Sequence, residues 1–453
     1  MIEERAPSDL EGPIGILGYG VEGMSTCRYL LDRGRADITV FDSKEPRGLD
    51  PRVTYGGSAG PGGYLAGLSS MRTVFRSAGI RPDLPEIAGF LRRGGILTSQ
   101  TSMAFALAGR DRIIGVTGTL GKGTCCSLLA AMLAEAGIPA DLGGNIGVPA
   151  LDLAASLPPG RKLILELSSF QLSALSVSPA HAAVLRTTSE HLDWHLSRDE
   201  YWLHKSRIAS GQGAGDVLTY CADAPGSAWI AARGSARKIG YGRDSAVRVD
   251  GMEARWTARG FAVPLASTRL KGAFNLENIA AAGTLALELG AEPAHVVAAS
   301  AAFAGLEHRL EFAGEKRGIA FYNDSYATRP DAVLGALDAL KDAPLGLILG
   351  GSEKHADFSG LASAIAAAGQ VRAVALIGQT ADRLESDLRA AGVSGAGRGP
   401  RLLRCAGLGE AVEFLMGEVG KGAIALSPAC ASFGMFENYK ERGKAFKRLV
   451  EGL

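Results

Sequence analysis

The sequence predicts an α/β protein of three domains with mainly parallel sheets. Three observations carry this. Short aliphatic runs alternate with helical patterns along the whole chain, the runs gather into three blocks, and several end in glycine just before a helix begins. A length of 453 residues exceeds what one ordinary core holds and fits about three.

The first block, residues 1–109, opens with IGILGYG, a strand closed by glycine. A helical run follows from about Glu22 to Arg33, and ITVFD is the next strand. Gly18, Gly20 and Gly23 form GxGxxG, and Asp42 closes the second strand about twenty residues on. Strand, turn, helix, strand and acid together mark a Rossmann-like unit, with a ligand-free βα turn as the alternative reading of the glycines. The run GGSAGPGGYLAG is a loop.

The second block, residues 110–306, begins with the strand RIIGVTG and enters a helix from Lys122 to about Ala136. LILEL (163–167) and HAAVLR (181–186) are strands, and a helix runs from about Asp199 to Ser210. Residues 236–265 read as β-hairpin material, and helices near 275–290 and 292–302 close the block. GVTGTLGKGT approaches a phosphate-binding loop, because a glycine-rich turn at a helix N-terminus aims N–H groups at an anion and Lys122 stands where it reaches phosphates. Strict spacing fails twice: Val116 stands for the first glycine, and Gly123 for the hydroxyl residue that ligates Mg²⁺. Thr124 offers a hydroxyl one residue later, about 100° around the helix. The block reads as a P-loop ATPase-like parallel sheet.

Further along, Glu166 ends a strand, where open α/β sheets present ligand groups, although a capping or salt-bridge role is also open. SEHLDWH gathers Glu190, His191, Asp193 and His195, and its HxxxH spacing permits either a zinc site or a hydrogen-bonded turn. Lys205, inside DEYWLHKSRI, reads as a solvated helical lysine. Cys125 and Cys126 read as small packing residues of a helix.

The third block, residues 307–453, carries strands at GIAFYN, LGLILGG, VRAVALIG and GAIALS separated by helices, a second Rossmann-like pattern. GVSGAGRGP (392–400) is a surface loop. With 48 Lys and Arg against 47 Asp and Glu, no field dominates the surface, which argues against nucleic acid or an anionic membrane as main partner. Six cysteines without a CxxC pair fit reduced thiols, and MIEERAPSDLEGP has no signal-peptide character, so a cytoplasmic location is expected.

Taken together, GVTGTLGKGT, GGNIG (143–147), LELSSFQL, HLDWH followed by YWLHK, FNLEN (274–278) and EHRLE (307–311) resemble the Mur ligases, the ATP-dependent amide-forming enzymes of peptidoglycan precursor synthesis. NDSYAT, GGSEKHADF and LSPACASFGMFENYKERGKAF resemble the glutamate-adding branch of that family. The resemblance implies that the first domain holds the UDP part of UDP-N-acetylmuramoyl-L-alanine rather than NAD, that the central domain binds ATP, and that the third brings D-glutamate. It also favours a monomer. The reaction implied is transfer of the γ-phosphate to the alanyl carboxylate, giving an acyl phosphate that the amine of glutamate attacks.

By matching positions, the resemblance places Val21, Glu22 and Gly23 along the diphosphate and Asp42 at the uracil end, with Asn145, Ser168, Gln171 and His191 also on the precursor. Gly118, Thr119, Gly121, Lys122, Thr124 and Asn278 would bind ATP, with Arg309 and Asp324 holding phosphates and ribose. Two Mg²⁺ ions are implied, with Glu166, His191 and Lys205 as ligands, Lys205 after carbamylation by CO₂. Lys122, His191 and Lys205 are the implied catalytic residues. Thr328, Lys354, Ser432 and Tyr439 match positions around the incoming glutamate. The chain departs from the family pattern at Leu120, where Asn is usual, at Gly123, at Tyr326, where Lys is usual, and at Arg329. Mg²⁺ keeps several waters, so weakened rather than absent ATP use is expected from the lost hydroxyl.

Overall fold

A computed structural model describes residues 10–57, 63–353, 356–393 and 399–453. The chain forms two compact units, residues 1–267 with 276–302, and residues 268–275 with 303–453. The described residues form three sheets, two in the first unit and one in the second.

The first sheet holds β1 (Ile14–Leu17), β2 (Ile38–Phe41), β3 (Thr54–Tyr55), β4 (Thr73–Arg76) and β5 (Ile96–Thr98), all parallel, in the order β3-β2-β1-β4-β5. Successive residues serve opposite faces: Ile14, Ile16, Val40 and Phe75 pack in one core, Leu17, Phe41, Val74 and Leu97 in the other.

The second sheet holds β6 (Ile113–Thr117), β7 (Ala140–Gly144), β8 (Lys162–Glu166), β9 (His181–Val184), β10 (Val217–Cys221), β11 (Arg237–Gly242), β12 (Val247–Val249), β13 (Glu253–Trp256) and β14 (Phe261–Pro264). Their order is β14-β13-β12-β11-β10-β9-β6-β8-β7. The expected hairpin region is only partly antiparallel. β11 lies parallel to β10 and to β12, and antiparallel pairing begins at β12 and β13.

In the second unit, β15 (Glu311–Lys316), β16 (Ile319–Asn323), β17 (Leu345–Gly351), β18 (Val371–Gly378), β19 (Arg401–Arg404) and β20 (Gly422–Leu426) are ordered β15-β16-β20-β17-β18-β19. Only β15 is antiparallel, joined to β16 through Arg317 and Gly318 at φ 54° and 78°, the pair of positive φ values that a tight hairpin turn needs. All of β17 is buried, because helices cover both faces. All six cysteines are free and buried. Among the described residues, no helix is long and apolar enough to cross a membrane.

Candidate active site

The turn after β1 explains its glycines. Gly18 has φ 88°, and a Cβ on Gly23 would stand 2.1 Å from Gly18 O, so the third glycine lets the helix Val21–Asp32 close onto the strand. The first helical bond runs from Met24 N–H to Gly20 O, which leaves Val21, Glu22 and Gly23 with N–H groups that have no earlier acceptor in the helix. A cleft opens here, lined by Gly20, Val21, Glu22, Asp42, Tyr64 and Ser77 among others. Asp42 Oδ2 accepts from Tyr19 N at 2.7 Å, which fixes one side of the cleft.

Glu22 is anchored by the protein itself. Its carboxylate accepts Gln171 Nε2 at 2.7 Å and Ala78 N at 3.0 Å, so it ties the helix at the first sheet to the short helix Ser169–Leu172 beside the second. Gln171 completes a capping box with Ser168, Oε1 accepting from Ser168 N at 3.1 Å and Ser168 Oγ from Gln171 N at 3.1 Å.

At the end of β6 the phosphate-loop residues come together. Gly121 caps the helix Lys122–Glu135 with φ 85°, and a Cβ there would stand 2.3 Å from Asn278 Oδ1, so loop and Asn278 are in close contact. Lys122 Nζ donates to Gly118 O and Thr119 O, each at 3.0 Å. Thr119 Oγ1 accepts from Thr188 N and lies 3.1 Å from the hydroxyl of Tyr201. Thr124 is buried, as are Cys125 and Cys126, which pack as expected.

Lys205 is not the solvated helical lysine its local sequence suggested. It is 1% exposed on the helix Arg198–Ser206, with Nζ donating to Gly118 O at 2.9 Å and Thr117 Oγ1 at 3.1 Å above the Tyr201 ring. Burial, reinforced by nearby Lys122, holds its ammonium well below the ordinary lysine range. Glu166, at the end of β8 and 3% exposed, accepts Asn145 Nδ2 at 2.8 Å through Oε1. Its other oxygen makes no hydrogen bond to a described residue.

The HLDWH segment divides. His191, at φ 57°, keeps an exposed ring 4.8 Å from Phe170, whereas His195 is fully buried between Ser169 Oγ at 2.9 Å and His204 Nδ1 at 3.3 Å. Burial, with His204 beside it, pushes His195 down to about 4. The zinc alternative for HxxxH therefore loses its second histidine to a hydrogen-bonded turn. Among the described residues, Glu307, His308 and Glu311 do group ligand-type atoms, but Lys447 Nζ already bridges the two carboxylates at 2.8 and 2.9 Å.

In the second unit, Arg309 sits between His308 and Leu310, both at positive φ. Asp324 is buried, with Oδ1 accepting from Leu310 N at 3.0 Å and Oδ2 from Ser427 Oγ at 2.6 Å; burial raises its pKa to about 7. Thr328 is half-buried, Tyr439 opens the helix Tyr439–Glu451, and Ser432 is buried with Oγ unpartnered among the described residues. Lys354 lies outside the described residues.

Comparison with known proteins decides the family. Residues 116–286 match the Mur ligase middle domain, and residues 308–429 match the Mur ligase glutamate ligase domain. The UDP-N-acetylmuramoylalanine--D-glutamate ligase of Symbiobacterium thermophilum is 35% identical, covering 98% of this chain and 99% of that protein. The protein of that name from Acetivibrio thermocellus is 34% identical, covering 97% and 96%.

This chain belongs to the Mur ligase family.

Two solved Mur ligases share its fold. MurF from Thermotoga maritima in complex with ADP superposes with a TM-score of 0.62 at 16% identity, covering 100% of this chain and 97% of that one. UDP-N-acetylmuramate-alanine ligase MurC from Thermotoga maritima gives 0.59 at 17%, covering 97% and 99%. Within this Mur ligase, Thr117 and Tyr201 are contacts of the lysine cluster that sequence reasoning missed. Tyr201 precedes Lys205 by four residues, a helical spacing that puts both on one face and was available as a signal. Of the departures, Leu120 is 61% exposed, while Gly123 is buried in the first turn of its helix.

Proposed function

We propose that this chain is an ATP-dependent ligase that joins D-glutamate to UDP-N-acetylmuramoyl-L-alanine in peptidoglycan precursor synthesis. One observation carries the reading: Lys122 and Lys205 converge on Gly118 O at the end of β6, and Glu166 ends the neighbouring strand β8. Two amines and a carboxylate at the C-terminal edge of a parallel sheet, beside a helix N-terminus, suit a polyphosphate and a divalent cation. In this reading residues 1–109 form a Rossmann-like precursor domain, 110–306 a P-loop ATPase-like domain and 307–453 a Rossmann-like amino-acid domain.

The chemistry asks for charge compensation. A carboxylate is a poor electrophile, so the alanyl carboxylate is first phosphorylated, and negative charge then gathers on the transferring phosphoryl group and on the tetrahedral carbon's oxygen. Lys122 meets the phosphates, with Gly118, Thr119, Gly121 and Thr124 around them and Asn278 at the adenine. The N–H groups of Val21, Glu22 and Gly23 face the precursor diphosphate. Asp42, Asn145, Ser168, Gln171 and His191 orient the precursor, and Gln171 also holds Glu22 in place. Arg309 and Asp324 serve the nucleotide, and Thr328, Lys354, Ser432 and Tyr439 serve the glutamate.

Mg²⁺ fits the donors present. Glu166 has an oxygen beyond the one Asn145 occupies, and burial, which holds Lys205 below its ordinary range, favours the neutral amine that CO₂ requires. Glu166, His191 and carbamylated Lys205 would hold the ions, which screen the phosphate charge. Phosphate release measured with ATP, UDP-N-acetylmuramoyl-L-alanine and each glutamate enantiomer tests the reading. Release that depends on D-glutamate is expected; none with either enantiomer would overturn it. Preference for the L form would instead favour a sibling ligase, a reading to which Tyr326 in place of Lys lends weight.

A further inference from the structure

Arg309 has an unusual setting. Its guanidinium makes no hydrogen bond or ion pair with any described residue, although the side chain is half-buried. Its backbone is fixed from both sides: His308 N donates to Glu311 Oε2 at 2.9 Å and Leu310 N to Asp324 Oδ1 at 3.0 Å, across the two positive-φ residues. What meets the guanidinium is the ring of Tyr326, 4.6 Å from centroid to Cζ. That ring packs edge to face on Tyr439 at 5.1 Å, and Tyr439 in turn on His308 at 6.0 Å. The ring is itself located by its backbone, since Tyr326 N donates to His308 O at 2.9 Å.

We propose that Tyr326 is a positioning residue that holds Arg309 by a cation–π contact for an anionic phosphate group. The inference rests on the reading of Arg309 as a nucleotide-binding residue. A carboxylate in this place would hold the guanidinium equally well but would consume its donors and neutralise its charge. A lysine would repel it. An aromatic face attracts the cation while accepting no conventional hydrogen bond, so the five N–H groups stay available to phosphate oxygens. Tyr326 therefore replaces a second cation by improving the placement of the first.

The test is a double-mutant cycle on the full chain, read by calorimetric titration with the magnesium complex of a non-hydrolysable ATP analogue carrying a β,γ-imido bridge. Tyr326→Phe keeps the ring and is expected to bind within about twofold of the parent. Tyr326→Leu is expected to weaken binding about two- to fivefold, the range of an exposed cation–π contact. In an Arg309→Gln background the same Tyr-to-Leu change is expected to do nothing, because the cation it served is gone. Equal binding by parent and Tyr326→Leu, or the same loss in both backgrounds, would overturn the proposal. Tyr326 is 43% exposed, so the two Tyr326 variants should melt within a few degrees of the parent. A parent chain that fails to bind the analogue would count against the ATP reading itself, whereas parent binding with an additive cycle counts only against the role of Tyr326.

Discussion

Lys122 and Lys205 donate to the same carbonyl oxygen, that of Gly118, at 3.0 and 2.9 Å. Two ammonium ions on one acceptor repel, and Lys205 is the one that burial prevents from relaxing into solvent. The neutral amine is the form that reacts with CO₂.

Incubation with ¹³C-bicarbonate should therefore produce a carbamate resonance that Lys205→Met abolishes. Turnover in that variant should fall by at least about a hundredfold, the scale of losing one stabilising group at a reacting phosphate. In CO₂-free buffer the unfolded chain binds the Lys205 proton more tightly than the folded one. Stability should then rise with pH through the window below 10.5, and Lys205→Met should flatten that slope in denaturant titrations.

Asp324 has the opposite sign. Its folded pKa of about 7 lies above the ordinary 3.8, so the fold bears no cost below that ordinary value and the full cost above 7. Stability should fall as pH rises between the two, by roughly 4 kcal/mol at most. Asp324→Asn keeps an acceptor for Leu310 N, and the Ser427 hydroxyl can turn to accept from the new amide. Chemical denaturation at pH 5 and pH 8 should show the variant gaining on the parent at the higher pH.

Gly121→Ala combines two penalties, a left-handed φ and a Cβ 2.3 Å from Asn278 Oδ1. A loss of about 1–3 kcal/mol is expected in thermal melts, together with weaker ATP binding. Adding Asn278→Ala should recover only the part due to contact, because the backbone strain remains.

Gly123→Ser should lower the Mg²⁺ concentration needed for half-maximal phosphate release. It restores a hydroxyl in the first helical turn and removes a helix-interior glycine worth about 0.5–1 kcal/mol against Ala. An unchanged Mg²⁺ requirement would mean that water already serves in that position without cost.

Much of the architecture was legible because long buried strands write themselves as continuous aliphatic runs. LGLILGG and VRAVALIG fall on β17 and β18 to the residue. β3, β4, β5, β7, β10 and β19 do not stand out in the sequence: β3 and β5 are two and three residues long, TVFR and RLLR are four-residue runs that end in arginine, VLTYC mixes polar with apolar residues, and β7 reads ADLGG, with a single residue fully buried. β15 was missed because EFAGEK alternates poorly and its turn is marked only by Arg317 and Gly318. At the site, the sequence located Lys122 and Glu166 by their places at strand and helix ends. It misread the environment of Lys205, because nothing local to DEYWLHKSRI reports that Gly118 and Thr117 approach from 87 and 88 residues away. Conversely, the zinc alternative arose from spacing alone, and the packing of His195 against Ser169 removed it.

The burial of every cysteine gives the protein a built-in reporter of breathing. Cys27, Cys125, Cys126 and Cys221 lie in one compact unit, Cys405 and Cys430 in the other, and burial pushes their thiols up, Cys221 to about 12 and Cys405 to about 11. A thiol that is both shielded and protonated reacts with a disulfide reagent only while its surroundings are open. The folded chain should thus be silent to such a reagent at first, and each cysteine's labelling rate, followed by peptide mass, becomes a clock for the opening of the unit that encloses it.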